Sequence, residues 1–138
     1  DLGQQAPGAK DLLAALPEDN WALVTSAGRL LAEVRMKAAG LPLPAVLVSA
    51  DDVSEGKPNP EGYLAAARRL GLPPDATVVF EDAEAGIRAA RASGARTVVV
   101  GSAECAAATG LDRVTDLRSV RVATDDATGG LHVSLMPA

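Results

Sequence analysis

The stretch VVFEDAEAGIRAARASGARTVVV (78–100) decides the fold. It opens and closes on apolar runs, "TVVF" (77–80) and "RTVVV" (96–100), each with the length and β-branched content of a buried strand. Between them "AEAGIRAARASG" places small and apolar residues at helical spacing and stops at Gly94, where a left-handed C-cap glycine belongs. A strand, a helix and a second strand in such quick succession require parallel pairing through a right-handed crossover.

The same rhythm runs towards the N-terminus. "WALVT" (21–25) reads as a buried strand, followed by a helix through Leu30, Leu31, Val34 and Ala38 that ends at Gly40. "AVLVS" (45–49) is the next strand. Pro60 suits the first turn of a further helix, whose apolar residues are Tyr63, Leu64, Ala67 and Leu70. The class is therefore α/β, with a three-layer Rossmann-like parallel sheet. The tail departs from this pattern, because "SVRVAT" and "LHVSL" flank the turn-rich "DDATGG" and predict a terminal β-hairpin. No internal repeat and no linker divide residues 1–138, which read as one domain.

Composition narrows the chemistry. Of the 138 residues, 48% are apolar and only 2% aromatic, so the core must be built from Ala, Val and Leu. The formal net charge is −5 and no basic run occurs, which argues against nucleic acid as a partner. Cys105 is the only cysteine, which excludes an internal disulfide, favours a packed thiol over a nucleophile, and makes the cytoplasm the expected setting. His132, the only histidine, lies in strict alternation and is expected at an exposed strand position. Neither a Ser-His-Asp triad nor a His/Cys metal site assembles from this inventory. No signal peptide or membrane-length apolar run is present.

In an open parallel sheet, ligands bind beyond the carboxyl ends of the strands. The first strand delivers Thr25 and Ser26 there, and the run "VVF" delivers Glu81 and Asp82. Lys57 comes from "SEGKPNPEGY" (54–63), where Pro58 and Pro60 are expected to hold Lys57 and Asn59 in an extended loop before a helix N-terminus. Such an end attracts anions, so Lys57 reads either as a phosphate clamp or as a surface lysine in a Pro-rich turn. The acids have two readings as well. Asp82 and Glu81 could hold Mg²⁺, which takes one or two protein carboxylates and completes its shell with water and phosphate oxygens. Alternatively, Asp82 caps the following helix and Glu81 is solvated. Gly86 and Gly28 each allow either close helix packing or room at the site.

Three segments, "LVTSAGR", "SEGKPNPEGYLAAARRLG" and "VVFEDAEAGIRAARASGARTVVV", together resemble, in order and spacing, motifs two, three and four of the haloacid dehalogenase superfamily. They are most similar to its sugar- and polyol-phosphate phosphatases, with β-phosphoglucomutase as a relative, and "PGAKDLLAAL" resembles the helix that returns to the core after the family's helical cap. The resemblance implies a Mg²⁺-dependent phosphatase acting on a small phosphorylated metabolite through an aspartyl-phosphate. By the same resemblance, Thr25 would hydrogen-bond the phosphoryl group beside Ser26, Lys57 would neutralise its charge, Asp82 with Glu81 would anchor Mg²⁺, and Asn59 would touch the substrate.

One departure is large. The family's nucleophile motif, Asp-x-Asp followed by a Gly-Thr turn at the end of a first strand, occurs nowhere in this sequence. Residues 1–138 thus resemble a partial core holding motifs two to four. The resemblance places the absent strand between those ending at Thr25 and Phe80, so removing it leaves two unpaired edges. A preceding segment of a longer protein could fill the gap, another chain could donate the strand, or the two neighbours could pair directly. The function is then either that phosphatase, with residues 1–138 inactive alone, or a noncatalytic phosphate- and Mg²⁺-binding remnant. Mutase-type phosphoryl transfer is the third possibility.

Overall fold

Short apolar runs become strands, and the Ala-rich stretches between them become helices. The computed structural model describes residues 7–136. Its elements are α1 (Ala9–Ala15), β1 (Ala22–Val24), α2 (Arg29–Ala38), β2 (Val46–Val48), α3 (Glu61–Leu70), β3 (Val78–Glu81), α4 (Glu84–Ser93), β4 (Arg96–Val100), β5 (Asp112–Val114), β6 (Val120–Thr124) and β7 (Leu131–Leu135), joined in places by single 3-10 turns. The stretch 78–100 folds as its pattern predicts, and α4 closes on Gly94 at φ 89°.

The parallel strands form two sheets. One pairs β1 with β2 in the register Ala22↔Val46, and the other runs β3-β4-β5, all parallel. Among the described residues, β1 and β3 are not paired with each other, so direct pairing across the expected gap is not the solution this chain adopts. The predicted hairpin is present as antiparallel β6 and β7, and His132 is exposed within it.

Strand β4 is apolar on both faces because both are covered, as in sheets with a layer on each side. Val98 and Val100 join Ala9, Val114, Leu117 and Val120 on one face, against which α1 and the hairpin residues Val122, Val133 and Leu135 pack. On the other, Val99 meets Ile87 of α4, Ala108 and the half-buried Cys105. Helix α3 packs on β1 and β2, α4 packs on β3 and β4, and the two helices touch, so one helical layer spans both parallel sheets.

Two expectations change. The apolar pattern of α2 runs through Leu30, Leu31, Val34 and Ala38, yet Leu30 is 76% and Val34 57% exposed. Ala32 and Met36, one turn apart, are its buried residues instead, and no described element covers the larger side chains. Strand β5 was not anticipated, since Asp112–Val114 has one buried residue, at its end, and no alternation to read.

Candidate active site

Strand alternation places the key acid. Along β3, Val78 and Phe80 turn towards the Val98 and Val100 core, so Val79 and Glu81 turn the opposite way, towards α3 and α4. Glu81 is the last residue of the strand and only 6% exposed, an arrangement a carboxylate tolerates only with partners. Its Oε1 accepts the Asp82 amide at 3.1 Å, and its Oε2 accepts both Lys57 Nζ at 2.6 Å and the Tyr63 hydroxyl at 2.5 Å. The room for this carboxylate comes from Gly86 in α4. A Cβ there would lie 2.0 Å from Glu81 Cδ and Oε2, so of the two readings of Gly86, making room is the one observed.

Lys57 reaches Glu81 from a loop that is locked, but not extended as expected. The Lys57–Pro58 peptide is cis and the Asn59 amide donates to the Gly56 carbonyl at 3.0 Å, closing a turn. Both ends of the Asn59 side chain are used inside this loop. Nδ2 donates to Glu55 at 2.6 Å, and Oδ1 accepts the Glu61 amide at 2.9 Å at the start of α3. The Glu61 carboxylate in turn accepts the amides of Ser54 and Glu55.

The Lys57 ammonium also donates to the Val24 carbonyl at 3.2 Å and lies 5.2 Å from the centre of the Tyr63 ring. Lys57 therefore spans the carboxyl ends of β1 and β3, the two strands that do not pair. An ammonium has three hydrogens, and these two acceptors take two of them. Burial, and next the Glu81 charge, push the Tyr63 phenol well above its ordinary range, so it remains protonated and acts as a donor.

Thr25 follows Val24 directly, and its Oγ1 accepts the Ala27 amide at 3.1 Å, leaving its own O–H free to donate. The next residue, Ser26, is exposed. The loops leaving β1 and β2 are stitched together: the Ala50 amide donates to the Ala27 carbonyl at 2.9 Å, and Asp51 Oδ2 accepts the Arg29 amide, also at 2.9 Å, at the start of α2. Ser49 and Asp52 brace this arrangement through a capping box, and the Ser49 amide bond is the leading cause that holds the Asp52 carboxyl below its ordinary range.

The donor set for a cation is small. Asp82 leaves β3 half-buried, and its backbone precedes rather than caps α4, whose N-cap is Ala83. Among the described residues no group of three His, Cys, Asp or Glu side chains gathers around it. One hard carboxylate nevertheless matches the limited protein ligation of Mg²⁺, which keeps water and phosphate oxygens for the rest of its shell. Glu81 has both oxygens engaged by protein donors.

Sequence reading thus found Lys57, Glu81, Asp82 and Thr25 at one edge, but it took Tyr63 only as an apolar helix position. The signal was available: a lone tyrosine in an Ala-rich helix needs a partner for its hydroxyl once buried.

The chain is similar to known proteins in the same terms. The family model for haloacid dehalogenase-like hydrolases matches residues 1–94. Hexitol phosphatase A of Escherichia coli (strain K12) is 46% identical over 96 residues, covering 68% of this chain and 44% of that protein. Glycerol-1-phosphate phosphohydrolase 2 of Saccharomyces cerevisiae is 39% identical over 104 residues, covering 68% of this chain and 42% of the relative. The chain therefore spans less than half the length of these curated relatives. Among solved structures, a hydrolase from Pseudomonas syringae superposes with a TM-score of 0.68 at 36% identity, covering 81% of this chain and 58% of that one. A Thermotoga maritima protein assigned as a beta-phosphoglucomutase gives 0.66 at 29% identity, covering 80% and 56%. With its parallel strands, its lysine–glutamate pair and a family match that takes in all of the β1–β2 sheet and the first strand of the next, the chain belongs to the haloacid dehalogenase-like hydrolases.

Proposed function

We propose that the protein carrying this chain is a phosphatase of small sugar or polyol phosphates. The observation that carries this reading is Lys57, whose ammonium is fixed by Val24 and Glu81 at the mouth between β1 and β3 with one hydrogen left for a ligand oxygen. The Thr25 hydroxyl donates to the same phosphoryl group, and Ser26 lies beside it. As phosphorus moves between oxygens, negative charge on the equatorial oxygens is met by fixed donors, which is where most of the rate of phosphoryl transfer originates. Asn59 contributes by holding the Lys57 loop to α3, because its amide is already used there.

Asp82 is the residue that would hold Mg²⁺, with Glu81 one layer behind as the anchor of Lys57. The ion, when bound, supplies additional charge neutralisation to the phosphate oxygens. The attacking carboxylate is not among residues 1–138, so this stretch alone binds phosphate without turning it over, and the nucleophile belongs to the parent protein. We place its strand between β1 and β3, supplied by the same polypeptide or by another chain. A reducing, cytoplasmic setting agrees with the single Cys105. Relatives named as hexitol and glycerol-1-phosphate phosphatases support the substrate class.

The test is hydrolysis of a panel of sugar and polyol phosphates by the parent protein, with and without Mg²⁺. Mg²⁺-dependent release of phosphate that disappears in Lys57→Ala and Asp82→Ala is the expected result. The likeness to a protein assigned as a beta-phosphoglucomutase makes isomerised sugar phosphate the informative alternative product. Phosphate binding without any turnover in the parent would mark a noncatalytic module.

A further inference from the structure

We propose that Tyr63 is a positioning residue for this reaction, its hydroxyl setting how Glu81 holds Lys57 and hence how the ammonium meets phosphate; the inference rests on the phosphatase reading above. Four contacts fix the Glu81 carboxylate. Gly86 leaves it no more space than it fills, the Asp82 amide takes Oε1, and Tyr63 and Lys57 share Oε2 at 2.5 and 2.6 Å. Since both donors use one oxygen, they divide its acceptor capacity between them. With the phenol on one lone pair of Oε2, the carboxylate engages a single ammonium hydrogen. The Val24 carbonyl takes a second hydrogen, and the third remains for a phosphate oxygen.

Removing the hydroxyl changes that division. The Oε2 lone pair that the phenol vacates, on a buried carboxylate, is then open to another donor, and the ammonium already on Oε2 is in reach. Glu81 then draws a second hydrogen from Lys57, at the expense of the one offered to phosphate. The ring is a separate matter, because the ammonium lies over it and Phe would preserve that contact. Tyr63→Phe therefore isolates the hydroxyl.

The experiment has a binding arm and a kinetic arm. Inorganic phosphate is titrated calorimetrically into residues 1–138 as wild type, Tyr63→Phe and Lys57→Ala, while the near-ultraviolet difference spectrum of Tyr63, the only tyrosine, is followed in the wild type. The expected result is a loss of affinity of about 5- to 10-fold in Tyr63→Phe, the scale of one ordinary net hydrogen bond, and no measurable binding in Lys57→Ala. The tyrosine spectrum should shift with the same midpoint as the heat. In the parent protein, Tyr63→Phe should lower kcat more than it raises KM, which a purely structural role would not do. Wild-type affinity, kcat and KM in Tyr63→Phe, with Lys57→Ala still defective, would overturn the inference and leave the phosphatase reading standing. If neither phosphate binding nor turnover depends on Lys57, both fall together.

Discussion

Replacing Gly86 by alanine should reverse the usual sign of a glycine-to-alanine change in a helix. In an ordinary helix interior the substitution stabilises by about 1 kcal/mol, because glycine loses the most backbone freedom on folding. Here the new Cβ would lie 2.0 Å from Glu81 Cδ and Oε2 and 2.4 Å from Oε1, far inside contact distance. Either α4 or the carboxylate must move. Displacing the carboxylate breaks its bonds to Lys57, Tyr63 and the Asp82 amide, all three strengthened by its charge, and leaves a half-buried phenol without its acceptor. Set against the propensity gain, the net loss is about 2 to 4 kcal/mol, on the order of 10 °C in Tm for a domain of this size. Urea unfolding followed by the fluorescence of Trp21, the sole tryptophan, measures it. The deciding control is the same substitution in a Glu81→Ala background, where the clash partner is gone and Gly86→Ala should stabilise by up to about 1 kcal/mol. If Gly86→Ala stabilises the wild type, or has equal effect in both backgrounds, Glu81 does not need the space and the reasoning fails.

Three further outcomes follow from the same contacts. Tyr63 has its phenol raised above the ordinary value of 10.0, by burial first and the Glu81 charge next, so its effect on stability is constant below that pH and stability falls as pH rises beyond it; phenolate absorbance should appear only as the fold is lost, and a phenolate step near the ordinary value in the folded protein would contradict it. Asp116 has its carboxyl held below the ordinary 3.8 by the Arg118 side chain first and by the Arg118 amide next, so its stabilisation is present above that pH and drains as pH falls through the lower folded value; Asp116→Asn should flatten the acid limb of stability against pH. Asp51→Ala removes the carboxylate that receives the Arg29 amide at the start of α2 and should cost about 1 kcal/mol in urea unfolding, with most of that restored by Asp51→Asn.

The elements that could be read from sequence are those whose neighbours along the chain determine them. β3, α4 and β4 follow from periodicity and a terminal glycine, and the hairpin follows from alternation around a turn-rich stretch. β5 escaped because a three-residue edge strand of Asp, Arg and Val is defined by its pairing with β4, not by its own pattern. The exposed face of α2 escaped for a related reason. A helical pattern says which residues lie together, but not which group of them has a layer to meet, and here the smaller pair, Ala32 and Met36, is the one that does. At the site, proximity to strand ends revealed Lys57 and the acids. Tyr63 became visible only through packing, since its partner is a carboxylate eighteen residues further along the chain, seated in the room that Gly86 leaves.

The two sheets treat their edges differently, and that difference supports the proposed strand slot. Because the Thr25 amide bonds to the Val48 carbonyl, ladder alternation turns the backbone groups of Val24 towards the inner edge of β1 and those of Leu47 towards the outer edge of β2. The Leu47 carbonyl is capped twice, by Arg29 from α2 at 3.1 Å and by Arg69 from α3 at 3.0 Å. Charged side chains on an edge prevent another strand from adding there. Among the described residues the inner edge shows no such guard along its length, only Lys57 on the Val24 carbonyl at its mouth. Trp21 to Val24, apolar enough for a covered strand, are each only half-buried. On β3, the Arg96 amide takes the Thr77 carbonyl, so Phe80 likewise presents its backbone to the inner side. Hydrogen exchange tests the slot directly. In residues 1–138 the amides of Val24 and Phe80 should exchange faster than those of Thr25 and Val79, which face paired strands, and in the parent protein that contrast should vanish. Equal protection of all four in the short chain would mean that these edges already have partners, and the nucleophile strand would have to be sought elsewhere.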